Sequence, residues 1–401
     1  MPDPVALKRS LSLPVTSCYG IGTIIGAGIY VLIGKVGASA GVSLPYAFLL
    51  AGVIAAFTAL SYAELSSRFP HSAGSAAYIH NAWHRGWLAQ LVAVLVAITG
   101  IVSAATIANG FVGYLELFIQ TPDYLAIVIL IAVLTLIALW GINESALTVT
   151  LVTLVEVGGL LFVIYVSREA AAVQEWQAVF AVPQPEAWSG LLVGSFLAFY
   201  AFIGFEDMVN IAEEVKNPRK TLPRAILIAI AVSTLLYMIV AALAVRTIPV
   251  RELAESAAPL ATMVTNAGHS TAFIGVVSMF AVVNGALVQI IMASRLLYGM
   301  AKKEMAPRIF ATVSARTRTP VAATLLVAAI ILVFALWLPL TVLAQTTAFI
   351  MLVIFSLVNL SLVAIKIRGA NADEDAVSYP ILFPVVGFLL CVALIAFQLL
   401  A

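Results

Sequence analysis

The chain has 401 residues, of which 63% are hydrophobic and only 10% are charged. Soluble domains have about 45–50% apolar and about 25% charged residues. The 20 basic and 19 acidic side chains are too few to cover the surface of a soluble protein of this length. This composition excludes soluble enzymes, nucleic-acid-binding proteins and secreted disulfide scaffolds, and it predicts a polytopic membrane protein. The net charge of +1 gives no attraction to polyanions such as nucleic acids.

Eleven continuous apolar runs are long enough to cross a bilayer as helices. A spanning helix needs about 20 residues, whereas the strands of a membrane barrel alternate polar and apolar side chains over about ten positions. These runs do not alternate, so we predict an all-α fold. The runs cover residues 12–36, 43–67, 87–118, 124–141, 147–167, 188–211, 224–246, 271–300, 321–338, 341–365 and 380–400.

Lys and Arg residues are distributed unevenly between the two sets of loops. When the N-terminus is placed in the cytoplasm, sixteen of the 20 Lys and Arg residues fall on that side. Because cytoplasmic loops are enriched in these residues, we predict a multi-pass protein of the cell (inner, cytoplasmic) membrane with a cytoplasmic N-terminus. The first apolar run lacks a signal-peptide cleavage pattern. The connection at 68–86 is predicted to form an amphipathic surface or re-entrant helix.

Motifs for metal binding and for catalysis are absent from the sequence. Cys18 and Cys391 lie in apolar runs and are expected to be packing residues, and the four histidines lack metal-ligand spacing. The sequence contains no zinc-protease, serine-hydrolase or phosphate-loop motif. We therefore expect no cofactor, no metal and no nucleic-acid partner, and we expect the protein not to be an enzyme.

The first apolar run contains a glycine cluster within the sequence GIGTIIGAGIY, formed by Gly20, Gly22, Gly26 and Gly28. Helices in hydrocarbon normally keep their backbone groups paired, so this cluster has two explanations. Gly22 and Gly26 fit the GxxxG pattern of closely packed helices. Alternatively, the helix is discontinuous there and its freed backbone groups line a binding cavity.

The sixth run favours the discontinuous helix. Its sequence SFLAFYAFIGFEDMVNIAEEV places Gly204 in mid-span and follows it with Glu206 and Asp207. Intramembrane carboxylates are costly and usually face a cavity or a partner. Broken helices that open two sets of five spans are typical of inverted-repeat transporters, whose site lies between the breaks. We predict one transmembrane domain over residues 1–401, with repeat one at about 12–167, repeat two at about 188–365 and an extra helix at about 380–400.

Four segments together resemble motifs of the amino acid–polyamine–organocation (APC) superfamily, and in particular its bacterial branch of cationic-amino-acid-transporter-like permeases. This resemblance implies a LeuT-type fold with 5+5 inverted repeats, about 11 transmembrane helices, discontinuous helices 1 and 6, and alternating access. The segments are GIGTIIGAGIYVLIG (20–34), SYAELSSRFPHSAGSAAY (61–78), FYAFIGFEDMVNIAEEVKNPRKTLPRAI (199–226) and ASRLLYGMAKKEMAP (293–307).

The two breaks are expected to bind the backbone groups of an amino-acid substrate. Free amides at the start of a half-helix suit a carboxylate, and the resemblance assigns this contact to Gly26, Ala27 and Gly28. Ala27 replaces a serine of some relatives, so a hydroxyl contact is lost there. The substrate ammonium is expected to bind carbonyl groups near the breaks, at Thr23, Ile24, Phe199, Tyr200 and Phe202.

Other pocket residues follow from the sixth-run motif. Ile203 is expected to line the pocket, and Tyr200 matches an aromatic residue that occludes the substrate in some relatives. Glu206 matches the acidic position of the motif, and Asp207 is an additional carboxylate. Because adjacent helical residues point about 100° apart, only one of the two should face the cavity, and we predict that it is Glu206. A cationic substrate would need a further carboxylate, which Asp207 or Glu116 could supply.

Glu156 is the sole charged residue of the fifth run. It falls where many proton-coupled relatives of the superfamily carry a lysine. Burial favours the protonated form of a carboxyl group, so Glu156 is a candidate proton carrier. Glu156 could instead be a sodium ligand, or it could be a structural partner of Ser278 or Asn284.

These observations predict a secondary active transporter that moves amino acids across the membrane by proton-coupled symport. The alternative is an uncoupled exchanger of amino acids or polyamines. The expected partners are the amino-acid substrate, the proton (with Na⁺ as the alternative) and the lipid bilayer. Outside the site, Glu64 and Arg68 are predicted to form a simple ion pair one helical turn apart.

Overall fold

The computed structural model describes residues 9–71, 74–141, 146–302, 304–314, 316–369 and 376–400, without the side chains of 146 and 147. The described chain is built from α-helices linked by turns and short 3-10 segments. These helices are α1 (Leu13–Ile24), α2 (Ala27–Ala40), α3 (Leu44–Arg68), α4 (Gly74–Trp83), α5 (Gly86–Leu115), α6 (Asp123–Trp140), α7 (Ala146–Ser167), α8 (Trp176–Val179), α9 (Trp188–Phe199), α10 (Pro218–Thr247), α11 (Val250–Glu255), α12 (Pro259–Asn266), α13 (Ala272–Lys302), α14 (Val321–Trp337), α15 (Leu340–Ile367) and α16 (Leu382–Leu400).

All eleven predicted apolar runs contain helix, which confirms an all-α polytopic membrane protein. Within the described residues, nine helical stretches are long and apolar enough to cross a membrane. The number differs from eleven because Ala27–Arg68 forms one stretch through the 3-10 turn Gly41–Ser43, and because α14 has only 17 residues. The sequence therefore located the apolar elements correctly.

Two of the runs are interrupted, as the glycines predicted. Residues 25 and 26 separate α1 from α2. In the sixth run, α9 continues into a 3-10 turn at Tyr200–Phe202, and a second 3-10 segment, Phe205–Ile211, begins after Gly204. Gly204 has φ +128°, a backbone conformation that L side chains rarely adopt, so glycine is needed at this break.

The interrupted elements lie at the centre of the bundle and contact each other. Helix α2 packs against α9, and α1 packs against α10 and α7. Helices α3 and α10, each of which follows an interrupted run, also pack together, and α5 crosses α13. The division into two repeats and the LeuT-type topology stay predictions.

The surface helix predicted within 68–86 is present as α4, although residues 72 and 73 lie outside the described residues. Tyr78 and Ala82 are fully buried, whereas His80 on the same helix is exposed. Its buried face packs against α5 and α15. Helix α4 is therefore amphipathic and covers the end of the bundle from which α1 begins.

Candidate functional site

A cavity of about 840 Å³, including the part open to solvent, lies between the two helix breaks. Backbone and side chains from α1, α2, α5, α7, α13 and the sixth run surround it. Most of its wall is apolar, but two carboxyl side chains, Glu156 and Asp207, face it. Among the residues that the structure describes, no Lys, Arg or His lines this cavity.

Eight of the sequence-predicted site residues line this one cavity. They come from both interrupted runs and from α7, which are far apart in the sequence, so the fold brings them together. These residues are Thr23, Ile24, Gly26, Ala27, Gly28, Glu156, Tyr200 and Ile203.

The other three predicted residues lie beside the cavity rather than on its described lining. Phe199 and Phe202 are fully buried and pack against the rings of Phe355 and Tyr237, with centroid distances of 5.8 and 5.2 Å. Glu206 turns back onto the break, where its carboxylate accepts a hydrogen bond of 2.8 Å from the Gly204 amide.

Asp207 takes the place on the cavity wall that was predicted for Glu206. The two residues are adjacent, so their side chains diverge and only one of them faces the cavity, as expected. The Gly204 amide, left unpaired by the break, holds the longer Glu206 side chain. The sequence alone contains no signal for that local hydrogen bond.

Glycines allow the two helix breaks to approach each other closely. A Cβ atom at Gly28 would lie 2.3 Å from the Ala201 Cα, and one at Gly204 would lie 2.1 Å from the Thr23 carbonyl oxygen. A Cβ atom at Gly26, in contrast, would meet no described atom within 4 Å. Gly28 and Gly204 are therefore packing positions, whereas Gly26 borders open space that a ligand can occupy.

Gly22, the first glycine of the GxxxG pattern, lies where α1 packs against α7. A Cβ atom there would lie 2.0 Å from Thr153 Oγ1 on α7. Both explanations of the glycine cluster therefore apply to different residues, because Gly22 mediates helix packing and Gly26 lies within the break.

Tyr237 on α10 joins the two breaks, and the sequence did not identify it. Its hydroxyl lies 2.8 Å from the Ile24 carbonyl oxygen and 3.1 Å from the Ala201 carbonyl oxygen. A tyrosine hydroxyl has one proton, so it donates to one of these carbonyls at a time. The Ile24 carbonyl is therefore already engaged by the protein. A buried tyrosine within an apolar span needs a partner for its hydroxyl, which is the only signal in the sequence.

Replacing Tyr237 with Phe is expected to lower the free energy of unfolding by about 1–3 kcal/mol, because both breakpoint carbonyls lose their donor. Thermal unfolding in detergent measures this change. Tyr78→Phe is the matched control, because the buried Tyr78 hydroxyl has no hydrogen-bond partner in the described structure. Equal melting temperatures for the two variants would contradict the role of the Tyr237 hydroxyl.

Glu156 is the most buried charged side chain of the cavity, with 1% of its surface exposed. Its Oε2 atom has no hydrogen-bond partner within the described residues. Asn284 on α13, one of its two predicted partners, lines the same cavity. An unpaired buried carboxylate is costly, so a protonated carboxyl group or a bound cation fits this position.

The backbone at Glu156 is tied to α2 by Tyr30, whose own carbonyl is bound by Tyr114. The Tyr30 hydroxyl donates a hydrogen bond of 2.6 Å to the Glu156 carbonyl oxygen. The Tyr114 hydroxyl in turn donates to the Tyr30 carbonyl oxygen. A shift of α2 relative to α7 would therefore disturb the position of Glu156.

The cavity is closed on one side and extends toward the other. On the closed side, Lys35 Nζ donates a hydrogen bond of 3.0 Å to the Ala254 carbonyl oxygen, and α11 packs against α2. On the other side, the lining reaches Tyr19 near the middle of α1 and Val149 near the start of α7. The cavity therefore extends toward the side from which α1 begins.

Comparison with known proteins shows the family to which this chain belongs. The amino acid permease family model matches residues 11–401. The mitochondrial cationic amino acid transporter 3 of Arabidopsis thaliana is 30% identical over 391 residues, which cover 90% of this chain and 63% of that protein. The vacuolar cationic amino acid transporter 4 of the same plant is 32% identical over 349 residues, which cover 80% of this chain and 57% of that protein.

A bacterial relative is similar over a comparable length. The branched-chain amino acid permease BcaP of Bacillus subtilis is 28% identical over 348 residues, which cover 80% of this chain and 72% of BcaP. The chain thus spans about three fifths of the two plant transporters, 63% and 57% of their lengths. All three relatives are transporters or permeases, not enzymes.

Proposed function

Because the chain belongs to the amino acid permease family of the APC superfamily, we propose that it is a secondary active transporter that moves amino acids across the cytoplasmic membrane by alternating access. The proposal includes a cytoplasmic N-terminus and a LeuT-type fold with 5+5 inverted repeats. The cavity extends toward the side from which α1 begins, so the proposal assigns this structure to an inward-facing state.

The break in the first run would bind the substrate carboxylate. Helix α2 begins at Ala27 with Gly26 as its N-cap, so free amides and the positive end of the helix dipole face the cavity. The open space beside Gly26 leaves room for a carboxylate at the backbone. The substrate ammonium would lie against carbonyls of the opposite wall, near Thr23 and Tyr200, which line the same cavity.

Glu156 would couple transport to the proton gradient. The observation that carries this proposal is the buried carboxyl oxygen without a partner, on the wall of the cavity between the two breaks. Burial favours the neutral form, and contact with water or substrate favours the charged form. A group that alternates between these surroundings takes up and releases one proton per cycle.

Uptake into proteoliposomes tests this function. Purified protein is reconstituted, and a panel of radiolabelled amino acids is offered with an imposed proton gradient, a sodium gradient or internal counter-substrate. We expect accumulation with the inward proton gradient alone. Uptake that strictly requires internal counter-substrate would instead identify an uncoupled exchanger, and a sodium requirement would identify Na⁺ as the coupling ion.

Two glycine variants separate binding from packing at the first break. Gly26→Ala is expected to weaken amino-acid binding with little change in melting temperature, because its methyl group enters the open space. Gly28→Ala is expected to lower the melting temperature, because its methyl group meets the Ala201 backbone. Binding to detergent-solubilised protein and thermal unfolding measure the two effects. The reverse pattern would contradict the assignment of Gly26 to the substrate carboxylate.

A further inference from the structure

The connection between α13 and α14, residues 302–319, carries an excess of positive charge and is called here the basic connection. It contains one acidic side chain, Glu304, and five basic ones. Glu304 pairs with Arg308 at 3.1 Å, and both side chains are largely exposed. Arg316 and Arg318 are exposed and have no acidic partner within the described chain. The five basic residues are Lys302, Lys303, Arg308, Arg316 and Arg318.

A compact turn at residues 314–319 holds two of these arginines in place. The Ser314 amide donates a hydrogen bond of 3.0 Å to the Thr319 carbonyl oxygen, and the Arg318 amide donates one of 2.9 Å to the Ser314 carbonyl oxygen. Arg318 has φ +56°, a left-handed conformation that is uncommon for residues other than glycine. Such a conformation persists only where the surroundings enforce it, so Arg316 and Arg318 extend from a defined backbone.

The turn lies beside an exposed tryptophan at the end of α6. Thr319 Oγ1 donates a hydrogen bond of 3.0 Å to the Leu139 carbonyl oxygen, next to Trp140, whose side chain is 82% exposed. Ile309 and Val313 of the basic connection are exposed as well. Tryptophan is enriched at membrane–water interfaces, and segments that lie in the plane of the interface combine apolar with basic side chains. The basic connection and Trp140 have both properties.

We propose that the basic connection and Trp140 form a docking surface for the headgroups of anionic phospholipids. A guanidinium group binds two phosphate oxygens through parallel hydrogen bonds, which suits Arg316 and Arg318. The negative surface of a bilayer also attracts basic segments next to a membrane span, and the apolar side chains enter the headgroup region beside them. In the orientation proposed above, this surface faces the cytoplasmic leaflet and holds the ends of α6, α13 and α14 to it.

Quenching of tryptophan fluorescence by brominated lipids tests this surface. The protein is reconstituted into phosphatidylcholine vesicles that contain a small fraction of either brominated phosphatidylglycerol or brominated phosphatidylcholine. The Trp140 signal is the difference between the wild type and Trp140→Phe. Each arginine that contacts a headgroup is expected to enrich the anionic lipid about fivefold. Phosphatidylglycerol should therefore quench Trp140 more strongly at low salt, and this excess should disappear at about 1 M salt.

Two double variants make the test specific to this surface. Arg316→Gln combined with Arg318→Gln should make the two brominated lipids equally effective. Arg168→Gln combined with Arg251→Gln is the matched control, because it removes two exposed arginines from the opposite end of the bundle. The control should keep the excess quenching of the wild type.

Three outcomes would overturn the proposal. The first is equal quenching of wild-type Trp140 by the two lipids, and the second is an undiminished excess in the Arg316 and Arg318 double variant. The third is loss of the excess in the control, because the overall charge of the protein would then attract the lipid. None of these measurements requires transport, so the proposed function is tested separately by uptake into proteoliposomes.

Discussion

Replacing Glu156 with Gln is expected to abolish proton-driven accumulation of substrate while exchange of substrate across the membrane continues. Glutamine has the shape of a protonated glutamic acid but cannot release a proton. Because the side chain is 1% exposed and faces the cavity, the substitution changes the charge chemistry with little change in packing. In the proteoliposome assay, the ratio of internal to external substrate should fall from several-fold in the wild type to unity.

The exchange measurement is the internal control for this prediction. A variant that has simply misfolded would lose both exchange and accumulation, whereas a coupling defect removes accumulation only. Glu116→Gln, the same substitution at an exposed site, should accumulate substrate like the wild type. Undiminished accumulation by Glu156→Gln would show that the carboxyl group does not carry the proton and would favour a structural role beside Asn284.

The sequence predicted the architecture well because its signals are physical requirements of a bilayer. Apolar runs of about 20 residues predict spanning helices, and a glycine cluster within such a run indicates either close helix packing or a break in the helix. The breaks next to Gly26 and Gly204 were therefore predictable. Eight predicted residues meet in one cavity because both breaks lie at the centre of the bundle.

The side-chain details could not be predicted, because they depend on contacts between distant elements. Tyr237 lies more than thirty residues beyond the second break and joins the breaks only after folding. Asp207 lines the cavity in place of the predicted Glu206, because the Glu206 carboxylate accepts a hydrogen bond from one backbone amide. Phe199 looks like a pocket residue in the sequence but fills the space next to Phe355. A linear pattern carries no information on these contacts.

Glu64 shows the same distinction between a local prediction and a tertiary network. The predicted ion pair with Arg68 is present, with an Oε1–Nη2 distance of 2.7 Å. The structure adds Lys366 of α15, whose Nζ lies 2.6 Å from Glu64 Oε1. The Tyr379 amide, in the segment before α16, donates a hydrogen bond of 2.9 Å to Glu64 Oε2. One carboxylate thus connects α3, α15 and the segment that leads into α16.

A neighbouring serine extends this network to the second half of the bundle. The Ser67 hydroxyl donates a hydrogen bond of 2.8 Å to the Arg219 carbonyl oxygen at the start of α10, and it accepts one of 2.8 Å from the Val377 amide. The side from which α1 begins is therefore held together by polar contacts between elements that must separate or slide if the cavity opens and closes there.

Replacing Glu64 with Gln is expected to lower the free energy of unfolding by about 3–5 kcal/mol, because it removes the buried carboxylate that Arg68 and Lys366 share. The Glu64 side chain is fully buried, and those of Arg68 and Lys366 are only 9% and 11% exposed. Thermal unfolding in detergent would show the loss as a clear fall in melting temperature. A second substitution, Lys366→Met, should recover part of it by removing one of the two cations that Glu64 neutralises.

The matched control is Glu304→Gln. Glu304 and Arg308 have the same spacing as Glu64 and Arg68 and a distance of 3.1 Å, but their side chains are 77% and 88% exposed. Water screens such a pair, so its removal should leave the melting temperature unchanged. An equal melting temperature for Glu64→Gln and Glu304→Gln would mean that desolvation of the buried charges cancels their attraction. The Glu64 network would then contribute to the order of the helices on this side without adding stability.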